Sequence, residues 1–233
     1  MRLARRLIDF SSRMLGAAKR RQRVRVPQGM CSVRLNLGCG LAVASGWFNV
    51  DGSLNALIAG LPRPVHGIVY RLTGSSRYYT RDEYCRLLGN HIFVHHDLAY
   101  GIPFDDVTAD FVYSSHFLEH LYRADAQRIL QDSFRVLKPG GTIRVSVPDL
   151  EYAISLYHEG KRHEMLGNYF FVEDDDSHYA RHKYMYDFTL LSEALSSAGF
   201  HNVRRCRYRQ GVTPDLEALD NRPDESLFVE ATR

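Results

Sequence analysis

Short apolar segments alternate with longer segments of helical periodicity along this chain. Val33, Leu35 and Leu37 lead into Gly38, and further short apolar segments follow at intervals. Alternating strands and helices predict an α/β fold, in which helices cover both faces of a mostly parallel sheet. We place the predicted strands near residues 33–37, 47–50, 92–95, 111–114, 143–147, 203–208 and 226–231. Only a loop separates the last two strands, so we expect them to pair antiparallel.

Cap and stop residues mark the predicted helices. The helical spacing from Ala126 to Leu137 ends at Lys-Pro-Gly-Gly, residues 138–141. Thr80 and Glu83 fit a capping box, and Gly89 is the expected end of that helix. Thr189 is the predicted N-cap of a helix that Gly199 ends. A further helix is predicted over residues 150–157.

The first 26 residues follow a pattern of their own. Apolar residues recur every three or four positions, and nine basic residues stand against Asp9 alone. This pattern predicts a basic amphipathic helix, with neither the apolar run of a secretory signal nor the length of a membrane span. Three interpretations stay open. They are a helix packed on the body, a reversible anchor to an anionic membrane through residues 2–25, and an organelle transit peptide.

The charge is divided unevenly between this segment and the body. The formal net charge is +3, and the first 25 residues carry +8, which leaves −5 for the remainder. A mildly acidic body matches nucleic acid poorly, so we predict no nucleic-acid partner. The four cysteines lie far apart without a C-x-x-C pair. Their spacing argues against a zinc ribbon or a disulfide framework and favours a reducing, cytoplasmic setting.

A glycine turn and two carboxylates follow predicted strands. Gly38-Cys39-Gly40 lets backbone N–H groups approach a ligand closely. Asp51 and Asp97 follow the second and third strands, where a carboxylate can accept hydrogen bonds from ribose hydroxyls or an adenine amino group. A dinucleotide G-x-G-x-x-G motif is disfavoured, because Val43 stands at the third glycine position and Asp51 comes too early.

Two patterns are typical of metal sites. Residues 116–120 match the H-x-x-E-H motif of some zinc proteases, which needs a helix through both histidines and a third ligand. The acidic run at residues 173–176 is expected to be solvated, with a divalent metal as the alternative. We therefore predict no metal site.

Six motifs carry a resemblance to a known family: LNLGCG at 35–40, NVD at 49–51, HDL at 96–98, FVYSSHFLEHL at 111–121, RVLKPGG at 135–141 and IRVSVPDL at 143–150. Together they resemble the class I S-adenosylmethionine (SAM)-dependent methyltransferases of the type-11 group. They are similar to bacterial members associated with polysaccharide and cell-surface glycan synthesis. The resemblance implies a Rossmann-like, seven-stranded sheet with an antiparallel last strand. That domain would span residues 27–233, with an insertion at about 54–90 and an acceptor-side segment at about 150–187.

The resemblance also implies the cofactor and the residues around it. The cofactor is SAM, and the predicted binding residues are Gly38, Cys39, Gly40, Asp51, Gly52, Asp97, Leu98, Ser114 and His116. Asn36 departs from the family, because many relatives have an acid at this position. The short spacing between Gly40 and Asp51 is a second departure.

Methyl transfer to a hydroxyl needs a general base near the cofactor. The candidates are His116, Asp149 and His182. Each has a structural alternative: Asp149 as the N-cap of the next helix, His116 as a cofactor-shell or core residue, and His182 as an exposed loop residue.

We expect O-methylation of a sugar hydroxyl in a cell-surface glycan or in a nucleotide- or lipid-linked sugar. The reaction would take place in the cytoplasm, at the inner membrane face if the N-terminal helix is an anchor. Two alternatives stay open: a small-molecule natural-product methyltransferase, and a non-catalytic SAM-binding scaffold.

Overall fold

The computed structural model describes residues 14–71, 75–171 and 181–233. Its strands are β1 Arg34–Leu37, β2 Phe48–Asp51, β3 Ile92–His95, β4 Ala109–Ser115, β5 Leu137–Pro148, β6 His201–Cys206 and β7 Ser226–Thr232. They form one sheet in the order β3-β2-β1-β4-β5-β7-β6. β7 runs antiparallel to β5 and β6, and the other pairs are parallel. The predicted α/β class, the seven strands and the antiparallel last strand are confirmed.

The helices of the described chain connect and cover these strands. They are α1 (residues 14–19), α2 Leu54–Ile58, α3 Arg63–Tyr70, α4 Arg81–Asn90, α5 Arg123–Val136, α6 Leu150–His158, α7 Arg162–Met165, α8 Phe188–Ser197 and α9 Leu216–Leu219. Within this part of the chain, no helix is both long enough and apolar enough to cross a bilayer.

Alternate side chains along each strand bury opposite faces of the sheet. Leu35 and Val112 belong to the main core, which α5 and α8 complete. Phe111 and Tyr113, on either side of Val112, pack on the other face with Trp47 and α9. Helices α2, α3 and α4 form a further cluster with a side chain of β3. The predicted insertion is therefore a helical layer, and its Thr80–Glu83 capping box is confirmed.

The link from β1 to β2 consists of turns and contains no helix. Gly38 N donates to Val50 O at 2.9 Å. The buried amide of Asn36 donates to Ala42 O at 2.8 Å and to Asn49 Oδ1 at 3.0 Å. These bonds hold a crossover that is too short for a helix. They also give Asn36, the residue that departs from the family, a structural role.

Three predicted element ends are wrong. Asp187 caps α8 in place of Thr189, because its carboxylate accepts from Leu190 N at 2.8 Å, three residues into the helix. Helix α4 continues one residue past Gly89. The strand predicted at residues 143–147 begins earlier, at Leu137, although α5 does end at Val136, just before the predicted helix stop at residues 138–141. Tertiary pairing with β4 therefore extends this strand towards its N-terminus.

The described part of the N-terminal segment packs on the body. Gly16 is buried, and a Cβ built on it would lie 2.8 Å from Asp97 Cβ. Val24 N donates to Pro103 O at 2.7 Å. Residues 1–13, the first half of the predicted basic helix, lie outside the described residues, and the described helix α1 ends at residue 19. The division of the chain at residue 26 stays a prediction.

A buried ion network joins β5, β7 and the loop between β6 and β7. The fully buried Arg144 side chain lies 2.5 Å from Asp220 Oδ2 and 3.4 Å from Glu230 Oε1. Its guanidinium also donates to the carbonyls of Arg207 and Gln210, each at 3.1 Å. No sequence pattern had indicated this network, because its members lie far apart along the chain.

Candidate active site

The glycine turn after β1 lies at the edge where the parallel strands end. Gly38 and Gly40 have φ angles of +64° and +51°, a region that favours glycine. A Cβ on Gly38 would collide with the ring of Phe117, whereas none of the described atoms lies within 4 Å of a Cβ on Gly40. Gly40 N donates to Asp51 Oδ2 at 2.9 Å. The turn thus stays open at Gly40 and allows a ligand to approach the backbone.

The two predicted carboxylates come together beside this turn. A Cβ on Gly52 would lie 3.6 Å from Asp97 Cα, so the segments after β2 and β3 are in contact. Asp51 Oδ1 accepts from Ser53 N at 2.7 Å, and Asp97 Oδ1 accepts from Ala99 N at 3.0 Å. A carboxylate has about four acceptor sites. Both side chains therefore keep acceptor capacity for a ligand.

The remaining groups at this edge complete a binding surface. Ser114 pairs with Leu37, and its buried hydroxyl has no hydrogen-bond partner among the described residues. Leu98 and Phe117 line a cavity of about 530 Å³ against α5. Burial raises the pKa of the Cys39 thiol, and the charge of Asp51 adds to this effect. An open glycine turn, two carboxylates and an unpartnered hydroxyl are groups that suit a ligand containing adenosine.

A comparison with protein families identifies the domain. The family model described as "Methyltransferase domain" matches residues 35–145, which include β1 to β4 and most of β5. Residues 35–145 are a SAM-dependent methyltransferase domain. The methyltransferase class and the cofactor inferred from the motifs are confirmed. Among curated proteins, no sequence matches the chain.

Solved structures share the fold at low identity. A "possible exported protein" from Bordetella parapertussis is 14% identical, with a TM-score of 0.50 over 96% of this chain and 67% of that one. A SAM-dependent methyltransferase from Archaeoglobus fulgidus is 17% identical, with a TM-score of 0.48 over 99% and 98%. One from Mesorhizobium loti is 17% identical, with a TM-score of 0.47 over 89% and 94%. At 14% identity and a TM-score of 0.50, the likeness to the Bordetella parapertussis protein shows the fold alone.

The residues at the strand ends fit the cofactor. When bound, SAM supplies a methyl group that is already activated on a sulfonium. The predicted contacts are the turn at residues 38–40 for the methionine part, Asp51 for the ribose, and Asp97 with Leu98 for the adenine. These individual assignments stay predictions, and the spare acceptor capacity of both carboxylates supports them.

Four titratable side chains meet just beyond β4, and we call them the Glu119 cluster. Its members are Glu119, His116, His120 and His182. Glu119 Oε1 lies 3.4 Å from His116 Nδ1 and 3.8 Å from His120 Nε2. The ring of His182 lies 5.1 Å from that of His120. Lys183 N donates to Glu119 O at 2.7 Å and so holds the acceptor-side segment against this turn.

Backbone strain and polar contacts fix the position of His116. Its φ angle of +48° is uncommon for a residue other than glycine, and such strain clusters at functional sites. His116 Nε2 lies 2.8 Å from Ser226 Oγ, and Arg222 donates to Nδ1 at 3.3 Å. Burial alone would raise the pKa of Glu119, but His116 and His120 beside it hold that pKa below its ordinary value.

The other two candidate bases differ in their availability. His182 Nδ1 lies 2.8 Å from Tyr169 O, and burial lowers the pKa of this histidine, so its ring is neutral at pH 7. Asp149 caps α6 by accepting from Glu151 N at 3.0 Å, and it also accepts from Arg205 at 2.6 Å. Burial raises the pKa of Asp149. Its carboxylate is already engaged in structural contacts, whereas His182 retains a free ring nitrogen.

Glu119 and His120 belong both to the family motif at residues 111–121 and to the H-x-x-E-H pattern, but neither is a predicted site residue. The helix required by that pattern is absent from this described segment, since Leu118–His120 form a single 3₁₀ turn and His116 precedes it. The available signal was the spacing of His116, Glu119 and His120 at a strand end. The acidic run at residues 173–176 lies outside the described residues.

Proposed function

We propose that the enzyme methylates a hydroxyl oxygen, with His116 as the general base. The observation that carries this proposal is the 3.4 Å contact between His116 Nδ1 and the buried Glu119 carboxylate. His116 directly precedes Phe117, whose ring covers Gly38 of the predicted cofactor turn. A base at this position stands between the cofactor residues and the acceptor-side segment.

The chain has two tasks in such a reaction: to hold the acceptor in line with the methyl group and to remove its proton. His116 takes up the hydroxyl proton. The imidazolium that results gains an opposite charge within 4 Å, since Glu119 is fixed beside it. Nε2 is the nitrogen that takes up this proton, and the acceptor hydroxyl displaces the Ser226 hydroxyl, which lies 2.8 Å from it.

The proposed acceptor is a sugar hydroxyl in a cell-surface glycan or in a nucleotide- or lipid-linked sugar. The motif resemblance supports this class. A second support is the exposed apolar surface of the acceptor-side segment, where the side chains of Tyr157, Phe170 and Phe171 are 46%, 41% and 67% exposed. Exposed apolar patches of this kind mark binding sites, and they suit the lipid part of a lipid-linked sugar.

Transfer of labelled methyl from SAM to defined acceptor panels tests the proposal. Wild type should label a nucleotide- or lipid-linked sugar, and His116→Gln should bind SAM normally but transfer at least about 100-fold more slowly. Asp51→Asn should instead weaken SAM binding. Labelling confined to small natural products would favour the small-molecule alternative. SAM binding without transfer to any panel would favour the scaffold.

We also propose peripheral contact with anionic membranes through residues 2–25. The variant R5Q/R6Q/R13Q removes three positive charges and leaves Gly16 and Val24, the described residues that contact the body, unchanged in sequence. Its retention on anionic vesicles should fall well below that of wild type, because each basic residue near such a surface contributes about 1 kcal/mol. Equal retention of the two proteins on anionic vesicles would contradict the proposed membrane contact.

A further inference from the structure

We propose that Glu119, His120 and His182 bind a divalent transition-metal ion such as Zn²⁺. One ligand atom from each residue lies within 4.8 Å of those from the other two. His182 supplies the third ligand that the sequence pattern lacked. The proposal goes beyond methyl transfer and does not depend on the identity of the acceptor.

The state of the Glu119 side chain is the first argument. The side chain is 1% exposed, and neither carboxylate oxygen has a hydrogen-bond partner within the described chain. Burying an ionised carboxylate without compensation is costly, so buried charges are paired or coordinate metals. A cation held between Glu119 and the two imidazoles would satisfy the carboxylate.

The orientation of the two histidines is the second argument. His182 Nδ1 lies 2.8 Å from Tyr169 O, and His120 Nδ1 lies 3.3 Å from Arg181 O. Carbonyl oxygens only accept, so each Nδ1 carries a hydrogen, and Nε2 is the ring nitrogen that remains to bind a metal ion. Metal-binding histidines are typically fixed by this kind of hydrogen bond to their other nitrogen.

The spacing is the third argument. His120 Nε2 lies 3.8 Å from Glu119 Oε1. Two ligands at a tetrahedral zinc with bonds of about 2.0–2.1 Å stand about 3.3 Å apart, so a small side-chain rotation closes the site. The His120 side chain is 26% exposed and gives an ion a path from solvent. Three protein ligands leave a fourth position for water or another oxygen.

The ligand types determine the class of metal. Two imidazoles and one carboxylate suit Zn²⁺, Fe²⁺ or Mn²⁺, whereas Mg²⁺ prefers oxygen ligands. We therefore expect Zn²⁺ to bind with clear preference over Mg²⁺.

Calorimetric titration of Zn²⁺ into the chelator-stripped, full-length protein tests the proposal. We expect one ion per chain in wild type. Glu119→Gln and His182→Gln should each weaken binding by more than about 100-fold, since even the loss of a residue that only hydrogen-bonds to a metal ligand costs about 10- to 100-fold. The matched control is His163→Gln, which alters an exposed histidine of the same segment and should bind like wild type.

A spectroscopic readout keeps the test informative if a variant folds poorly. Co²⁺ bound by two histidines and a carboxylate should give visible ligand-field absorption in wild type and in His163→Gln, and that absorption should be lost in His120→Gln. Zn²⁺ should also raise the Tm of wild type but not of Glu119→Gln. The proposal would be overturned by no saturable binding in wild type, or by equal affinities in Glu119→Gln, His182→Gln and His163→Gln.

Discussion

Two buried groups of charged side chains, one centred on Arg144 of β5 and one just beyond the neighbouring strand β4, differ in how completely they are satisfied. Arg144 pairs with Asp220 and Glu230, and its remaining donors bind two backbone carbonyls. Glu119 has histidines nearby, yet none of the described groups forms a hydrogen bond with its carboxylate. The first group is closed, meaning that its charges are paired with one another and with backbone groups, and it stabilises the fold. The second is open, which is the condition for binding a proton, an ion or a substrate.

Backbone geometry shows the same difference. Arg144 lies within a regular strand, paired with Tyr113 on one side and Glu230 on the other. The Glu119 cluster begins at His116, whose φ is +48°, directly after a strand ends. A closed network is built on regular pairing, whereas the open cluster depends on a strained turn. Four changes test this comparison.

The largest expected effect on stability is that of Arg144→Met. This change leaves Asp220 buried without its cation and removes one of the two cations of Glu230, so the free energy of unfolding should fall by about 3–5 kcal/mol. Urea denaturation measures it. The matched control is Arg204→Met, which removes the half-exposed partner of Glu230 and should cost less than about 1 kcal/mol. Equal losses in the two variants would contradict a closed network.

His116→Gln should affect activity rather than stability. Loss of the base should lower kcat about 100-fold, which corresponds to about 2.7 kcal/mol, with little change in the SAM Kd. Steady-state kinetics and urea unfolding measure the two quantities. His201→Gln changes an exposed histidine at the sheet edge and should leave both unchanged. A similar loss of stability and activity in His116→Gln would point to a structural role.

The closed network around Arg144 and Glu230 should determine how the free energy of unfolding falls at low pH. Burial would raise the pKa of Glu230, but hydrogen bonds from Arg204, Val212 N and Thr213 N lower it from 4.5 to about 2. The unfolded chain therefore binds a proton first, and stability falls as the pH drops from about 4.5 to about 2. Glu230→Gln should flatten this part of the curve of unfolding free energy against pH. An unchanged slope in that pH range would contradict the role given to Glu230 in the loss of stability at low pH.

The smallest effect on stability is expected for Glu119→Gln in chelator-treated protein. Replacing a buried carboxylate that accepts no hydrogen bond from the described residues by an amide of the same shape should change the unfolding free energy by less than about 1 kcal/mol. Glu230→Gln is the comparison at neutral pH, where it should cost more, because Glu230 accepts several hydrogen bonds. A larger loss in Glu119→Gln would mean that Glu119 also supports the fold.

The sequence by itself determined the succession of the strands and of the main helices along the chain. It also determined the glycine turn at residues 38–40 and the positions of Asp51 and Asp97 after predicted strands. These features are written in local patterns: apolar periodicity, cap residues, and acids at strand ends, where a parallel sheet gathers them at one edge. The family motifs lie in the same segments, so the methyltransferase class and its cofactor could also be predicted.

Only the tertiary structure decided which distant side chains share a buried space. It joined Arg144 to Asp220 and Glu230, and it brought His182 to the turn of Glu119 and His120. It also decided that Asp187 caps α8 and that β5 begins at Leu137. The physical reason is that a side chain's partners and its access to water depend on packing between segments far apart in the chain. Local patterns contain no record of that packing.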